Sequence, residues 1–159
     1  MRFSIIAVGK LKERFWSDAC AEYLKRLQPY AKTTVIEVPD VDPTRVGGEA
    51  AATEREGEAV LKALASLPDR TRLVLLAIGG RERSSEELSA HLDKLALSGT
   101  SDIAFVIGGS CGVSDAVRAR ADEQLSFGPI TLPHNLARVV LLEQLYRACK
   151  ISRNEPYHK

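Results

Sequence analysis

The sequence predicts an α/β fold: a largely parallel sheet with helices on both faces. Three observations predict it. Apolar, β-branched runs alternate with stretches of helical periodicity along the chain. The most apolar run, LVLLAI at 73–78, has the length of a buried strand. No repeat, low-complexity tract or linker divides the 159 residues, so one domain over 1–159 is expected.

The elements follow in order. The opening MRFSIIAVGK lacks an extended apolar core and a small-residue cleavage site, so residues 3–8 read as a first strand, not a signal peptide. A helix over 17–27 follows, with Asp18 near its start, and then a strand over 34–38. The connection PDVDPTRVGGEAAA at 39–52 is poorly patterned and is expected to be a mobile loop. Beyond it come a helix at 53–66 and a strand at 73–78. A helix at 85–97 has Ser85 two residues before Glu87 as its N-terminal polarity. A strand at 103–107, a helix at 113–121, a short strand at 125–127 and a helix at 136–150 complete the pattern.

Composition excludes several classes. Apolar residues make up 45% and charged residues 27%, as in ordinary globular proteins. No apolar run approaches the roughly 20 residues of a membrane span. Cys20, Cys111 and Cys149 are odd in number and have no C-x-x-C spacing, which argues against a disulfide framework or zinc site and fits a reducing cytosol. Each reads as a small buried hydrophobe rather than a reactive thiol. His91 reads as a surface or boundary residue, while His134 follows Pro133 and His158 lies in the tail; no metal site is predicted.

The net charge of +1 does not by itself predict nucleic acid as a partner. Its distribution is uneven. Residues 1–32 carry seven Lys/Arg against three acids and residues 130–159 five against two, while residues 37–70 carry eight acids against four bases. This is either a basic face without a basic average or scattered, solvated charge.

Two strands end in the same tripeptide, in LLAIGG at 75–80 and FVIGGSCG at 105–112. Paired glycines at carboxyl ends let the backbone turn sharply and let a ligand approach main-chain groups, where open α/β sheets bind ligands. They suggest an adenosine-sized pocket, or simply two tight turns. No Lys-Ser/Thr follows the glycines, and the first strand ends in AVGK with a single glycine, which weakens ATP, NAD and FAD as ligands. A third segment, FGPITLPHNLAR at 127–138, is stiffened by Gly128-Pro129 and Pro133. It suits one face of a flat heterocycle or, equally, a helix lead-in with Thr131 as cap.

In the last helix Leu141, Leu142, Leu145, Tyr146 and Cys149 gather on one face, and Glu143, Gln144, Arg147 and Lys150 on the other. The apolar face reads as core or as half of a dimer interface. Arg138 falls at the centre of that face, where a guanidinium needs a carboxylate, backbone carbonyls, a phosphate or an escape to solvent. The final RNEPYHK puts a conformational lock, a phenol and an imidazole where chains ordinarily fray.

Taken together, FVIGGSCGV, LSFGPITLPHNLARVVLLEQLYRACKI and PYHK, with the opening IIAVGKLKERFW, EYLKRLQPY and IEVPD, make the chain similar over essentially its whole length to the RlmH family of bacterial ribosomal RNA methyltransferases, of the SPOUT class. The resemblance implies a SPOUT-type α/β knot with a C-terminal trefoil, an exception to the unthreaded-chain rule. It implies a cytoplasmic homodimer that uses S-adenosylmethionine to methylate N3 of a pseudouridine in helix 69 of 23S rRNA, numbered 1915, in the assembled 70S ribosome. Neither membrane nor DNA is an implied partner. Carried over by position, the cofactor residues are Leu76, Gly108, Phe127, Gly128, Pro129, Ile130, Thr131 and Leu132. Cys111 and the Gly128-Pro129 pair depart from the family's pattern, which bears on the pocket's shape.

The implied tail folds over the active site. Pro156 stiffens it, Tyr157 contacts base or ribose, and His158 accepts the N3 proton or orients the base, with loss of the proton to water as a rival. Arg138 and Arg147 hold phosphates or steady the uracil oxygens. The near-neutral charge implies recognition by ribosome shape and by basic segments that include Lys10, Lys12 and Arg14, rather than a grip on naked RNA. Two other readings stand beside this one: a non-catalytic ribosome-associated or nucleotide-binding module, and a SPOUT enzyme for another RNA.

Overall fold

A computed structural model describes residues 1–158; Lys159, the last residue of the PYHK run, lies outside the described residues. The strands are β1 (Arg2–Val8), β2 (Lys32–Val38), β3 (Arg72–Glu82), β4 (Asp102–Ile107) and β5 (Glu123–Ser126). They form one parallel sheet in the order β2-β1-β4-β3-β5. The helices are α1 (Arg14–Leu27), α2 (Pro43–Val46), α3 (Glu49–Ala65), α4 (Ser85–Leu97), α5 (Asp115–Arg120) and α6 (His134–Ser152).

Strand alternation divides the core into two layers. Phe3, Ile5 and Ala7 of β1 and Ile103, Phe105 and Ile107 of β4 point to the side covered by α1, α4 and α6. Phe3 and Phe105 meet there edge to face, with centroids 6.0 Å apart. Ile6, Val8, Ala104, Val106, Leu73 and Leu75 point to the other side, against Val60 and Leu64 of α3 and Val117 of α5. Helices α4 and α6 run side by side in the same direction. Ser85 donates to Gln144 at 2.7 Å, Ser89 to the Ala148 carbonyl at 2.8 Å, and Ser152 to Asp93 at 2.8 Å, a spacing of four residues on both helices.

Several boundaries differ from expectation. The stretch 39–52 is not an unpatterned loop. Asp42 caps α2 by accepting from the Thr44 N–H at 3.0 Å, Pro43 takes the first position, and Gly47 ends the turn at φ +92°. A single turn built by capping residues is too short to carry a periodicity. Helix α1 starts at Arg14, and Asp18 sits one turn in, 3.5 Å from Arg14. The cap of α4 is Ser84 rather than Ser85, in a reciprocal pair with Glu87.

In the last helix Leu141, Leu142 and Leu145 are fully buried in the subunit's own core, the first of the two alternatives for this face, while Tyr146 and Cys149 are half-buried. The helix's polar residues are half-buried as well: Gln144 meets Ser85 of α4, and the tail folds back over Glu143, Arg147 and Lys150, with Tyr157 4.8 Å from Tyr146, centroid to centroid. Tyr30 and Lys150 both bond Glu155, pinning the start of that tail.

Candidate active site

The carboxyl ends of β3, β4 and β5 and the first turn of α6 enclose an open cleft of about 740 Å³, within the usual range for small-molecule sites. Leu76, Gly108, Phe127, Gly128, Ile130, Thr131 and Leu132 line it. Pro129 lies in the same loop but is not among the lining residues. The apolar walls and exposed glycine backbone suit a flat heterocycle with polar edges.

The glycines serve close approach more than sharp turning. Strand β3 pairs both Leu76 and Arg81 with Leu125, so residues 77–80 form a bulge, of which Ala77, Ile78 and Gly79 line the cleft. A Cβ on Gly80 would lie 2.8 Å from the backbone carbon of Gln124. On β4's loop, a Cβ on Gly108 would lie 2.5 Å from Val113 and 3.0 Å from the Gly112 carbonyl oxygen. One on Gly109 would lie 2.7 Å from Glu56 Oε2. Of these three, none has positive φ; Gly112 and Gly128 do, at +95° and +101°.

Buried polar groups hold the loops from behind. Ser126 Oγ lies 2.8 Å from the Ile78 carbonyl and accepts from the Gly128 N–H at 3.1 Å, tying the β3 bulge to the 127–132 loop. Glu56 accepts from the Val41 N–H at 2.8 Å through Oε1, while its buried Oε2 faces Gly109. Neither role carries a sequence signal, since a lone serine in a strand or glutamate in a helix has many uses.

Arg138 is 2% exposed. It donates to Glu37 at 2.6 Å and to the Gly9 carbonyl at 2.9 Å, so a carboxylate and a backbone carbonyl meet its need within the subunit. Arg147 donates to Glu143 at 2.6 and 3.0 Å and lies 4.7 Å from the centroid of the Tyr157 ring. The Tyr157 hydroxyl donates to Glu143 at 3.1 Å, and His158 pairs with Glu86 at 2.6 Å. The Glu86 carboxyl falls to about 2 because its own backbone N–H, the Ser84 hydroxyl and His158 all favour its charged form. Burial, then the Tyr23 hydroxyl and Glu143, push the Tyr157 phenol up to about 12, so at neutral pH it donates hydrogen bonds and does not accept protons. The structure thus gathers Arg147, Tyr157 and His158 on the α4–α6 face, and none of them lines the subunit's own cleft.

Sequence reasoning overlooked two cleft residues, Arg118 of α5 and His134 of α6, and one cluster outside it. His91 lies 2.9 Å from Glu123, which also bonds Arg72 at 3.0 Å and faces Arg83 at 3.4 Å. Burial opposes ionisation of Glu123, but His91 and Arg72 outweigh it and hold the carboxyl below the usual range. Among the described residues no group of three or more His, Cys, Asp or Glu is placed to hold a metal, and no helix is long and apolar enough to cross a membrane.

A parallel α/β sheet with a glycine-walled cleft at its strand ends has the architecture in which open α/β proteins bind their ligands. The chain belongs to the SPOUT methyltransferases. A family model described as "Predicted SPOUT methyltransferase" matches residues 1–158. Relatives named ribosomal RNA large subunit methyltransferase H are 53% identical in Listeria welshimeri and 50% in Listeria monocytogenes, each over 159 residues. A relative of the same name in Bacillus thuringiensis is 51% identical over 162 residues. All three matches cover the whole of both chains.

Proposed function

We propose that this methyltransferase acts on large-subunit ribosomal RNA, transferring a methyl group from S-adenosylmethionine to N3 of the helix-69 pseudouridine in the assembled 70S ribosome. The observation that carries the reading is the cleft: seven of the eight positions matching the family's cofactor residues line one cavity. The residues fit the donor. Leu76, Phe127, Ile130 and Leu132 offer apolar faces to an adenine, the glycine loops offer backbone groups to its edges, and Arg118 offers a cation to a carboxylate. The relatives' name supports ribosomal RNA as substrate.

The enzyme works in the cytoplasm as a homodimer of single SPOUT domains, with the C-terminal knot typical of the class. Arg147, Tyr157 and His158 lie away from their own cleft, which supports a tail that serves the cleft of a second copy. There Tyr157 donates to base or ribose, His158 orients the uracil or accepts its proton, and Arg147 steadies uracil oxygens or phosphate. Arg138 acts from within the fold, holding the β1 end beside the cleft.

The test is transfer of labelled methyl from S-adenosylmethionine to 70S ribosomes lacking the modification, followed by mapping. Label on one pseudouridine of 23S rRNA is expected, with poor transfer to free 23S rRNA. Cofactor binding without label on ribosomes would overturn the substrate assignment.

A further inference from the structure

We infer that His134 is the residue that accepts the substrate's N3 proton, leaving His158 to orient the base; this rests on the proposed function above. Among the described residues, the cleft is lined by only two ionisable side chains, Arg118 and His134. A guanidinium stays protonated, so it cannot take a proton from a uracil nitrogen. Imidazole changes charge near neutral pH and is the side chain most used for such transfer. Among the described residues, His134 is therefore the one ionisable side chain lining the subunit's own cleft that can accept a proton.

Its position suits the task. His134 opens α6, immediately after the 127–132 wall, and stands where the cleft meets the end of β1. Its Nε2 is 3.7 Å from the point a Gly9 side chain would occupy, and the Asp40 carboxyl carbon is 3.8 Å from that same point. A carboxylate and an imidazole thus lie on either side of one glycine, without a direct hydrogen bond between them, so Asp40 contributes negative charge near the ring rather than a fixed partner. Gly9, at φ +88°, leaves the approach open.

The charges around the ring are few. Asp40 comes from the segment after β2, Arg118 from α5, and the Arg138–Glu37 pair lies one turn further along α6. The 108–112 and 127–133 segments present no charged side chain, and Glu56 sits behind Gly109. In the step itself, the N3 proton passes to an imidazole nitrogen of His134 as the N3 lone pair forms its bond to the methyl carbon. Bound S-adenosylmethionine would supply that carbon, its sulfur keeping the electron pair of the bond that breaks, and the His134 imidazolium would then return the proton to water at the cleft mouth.

The experiment compares wild type, His134→Asn and His134→Gln on unmodified 70S ribosomes across pH, with cofactor affinity by calorimetry. We expect cofactor affinity to stay near wild type, kcat to fall at least about 100-fold, and the acid limb of the wild-type profile to vanish. Added imidazole is expected to restore turnover in His134→Ala. Modification of His134 by diethyl pyrocarbonate, read by mass spectrometry, is expected to slow when ribosomes join the cofactor-loaded enzyme. Variants that keep the wild-type rate and profile would overturn the inference alone. Loss of cofactor binding in both variants would also overturn it, making His134 a cofactor-binding residue. A wild type that transfers no methyl to ribosomes would overturn the proposed function, and this inference with it.

Discussion

The Tyr157 hydroxyl donates to Oε1 of Glu143 at 3.1 Å, the same oxygen that takes two bonds from Arg147. One carboxylate on α6 therefore holds both an aromatic of the tail and the guanidinium packed on its ring. Glu143→Ala should free the tail and leave Arg147 without its main partner. A loss of about 1–2 kcal/mol is expected, read as a lower Tm. Methyl transfer should fall while cofactor affinity stays unchanged, since Glu143 does not line the cleft.

Ser126 joins two cleft loops through one hydroxyl. Removing it in Ser126→Ala orphans the Gly128 N–H and frees the β3 bulge. Cofactor affinity should fall about tenfold, which corresponds to about 1.4 kcal/mol. Calorimetric titration checks this, and an unchanged Kd would refute the tie.

Arg138→Met should destabilise the fold by about 2–3 kcal/mol, below the usual figure for a broken buried pair because Glu37 remains partly exposed. Denaturant unfolding measures it. Arg138→Lys should recover only part of the loss, since an ammonium cannot span Glu37 and the Gly9 carbonyl with one planar fork.

The Tyr157 phenol, raised to about 12, predicts an alkaline titration. Its folded pKa lies above the ordinary tyrosine value of about 10. Its contribution to stability is therefore complete below that value and is lost as pH rises through about 12. Phenolate absorbance should show a late-titrating tyrosine that is missing in Tyr157→Phe.

Strand-helix alternation made the fold class legible, because buried parallel strands and core-facing helices each impose a period on apolar residues. Features without a period were hidden. Helix α2 rests on Asp42, Pro43 and Gly47, and the β3 bulge on a register shift visible only against β5. The glycine pairs pointed to the cleft, but for an incomplete reason. Gly80 and Gly108 are required by neighbouring atoms, and the Gln124 backbone comes near only once the sheet has formed. Arg138 was legible as a misplaced charge; its partner Glu37, 101 residues earlier, was not. His134 looked ordinary in sequence because its meaning lies in what else fails to line the same cleft.

Helix α6 supplies Leu141, Leu142 and Leu145 to a layer most of whose other members, from Phe3 to Ile107, are translated well before it. A growing polypeptide therefore carries an uncovered trough over β1 and β4 until these leucines emerge. Parallel pairing of Arg2 with Asp102 across a hundred residues adds a slow search to that delay. Chains interrupted before α6 should expose that trough, making them targets for chaperones and proteases rather than partly active enzymes.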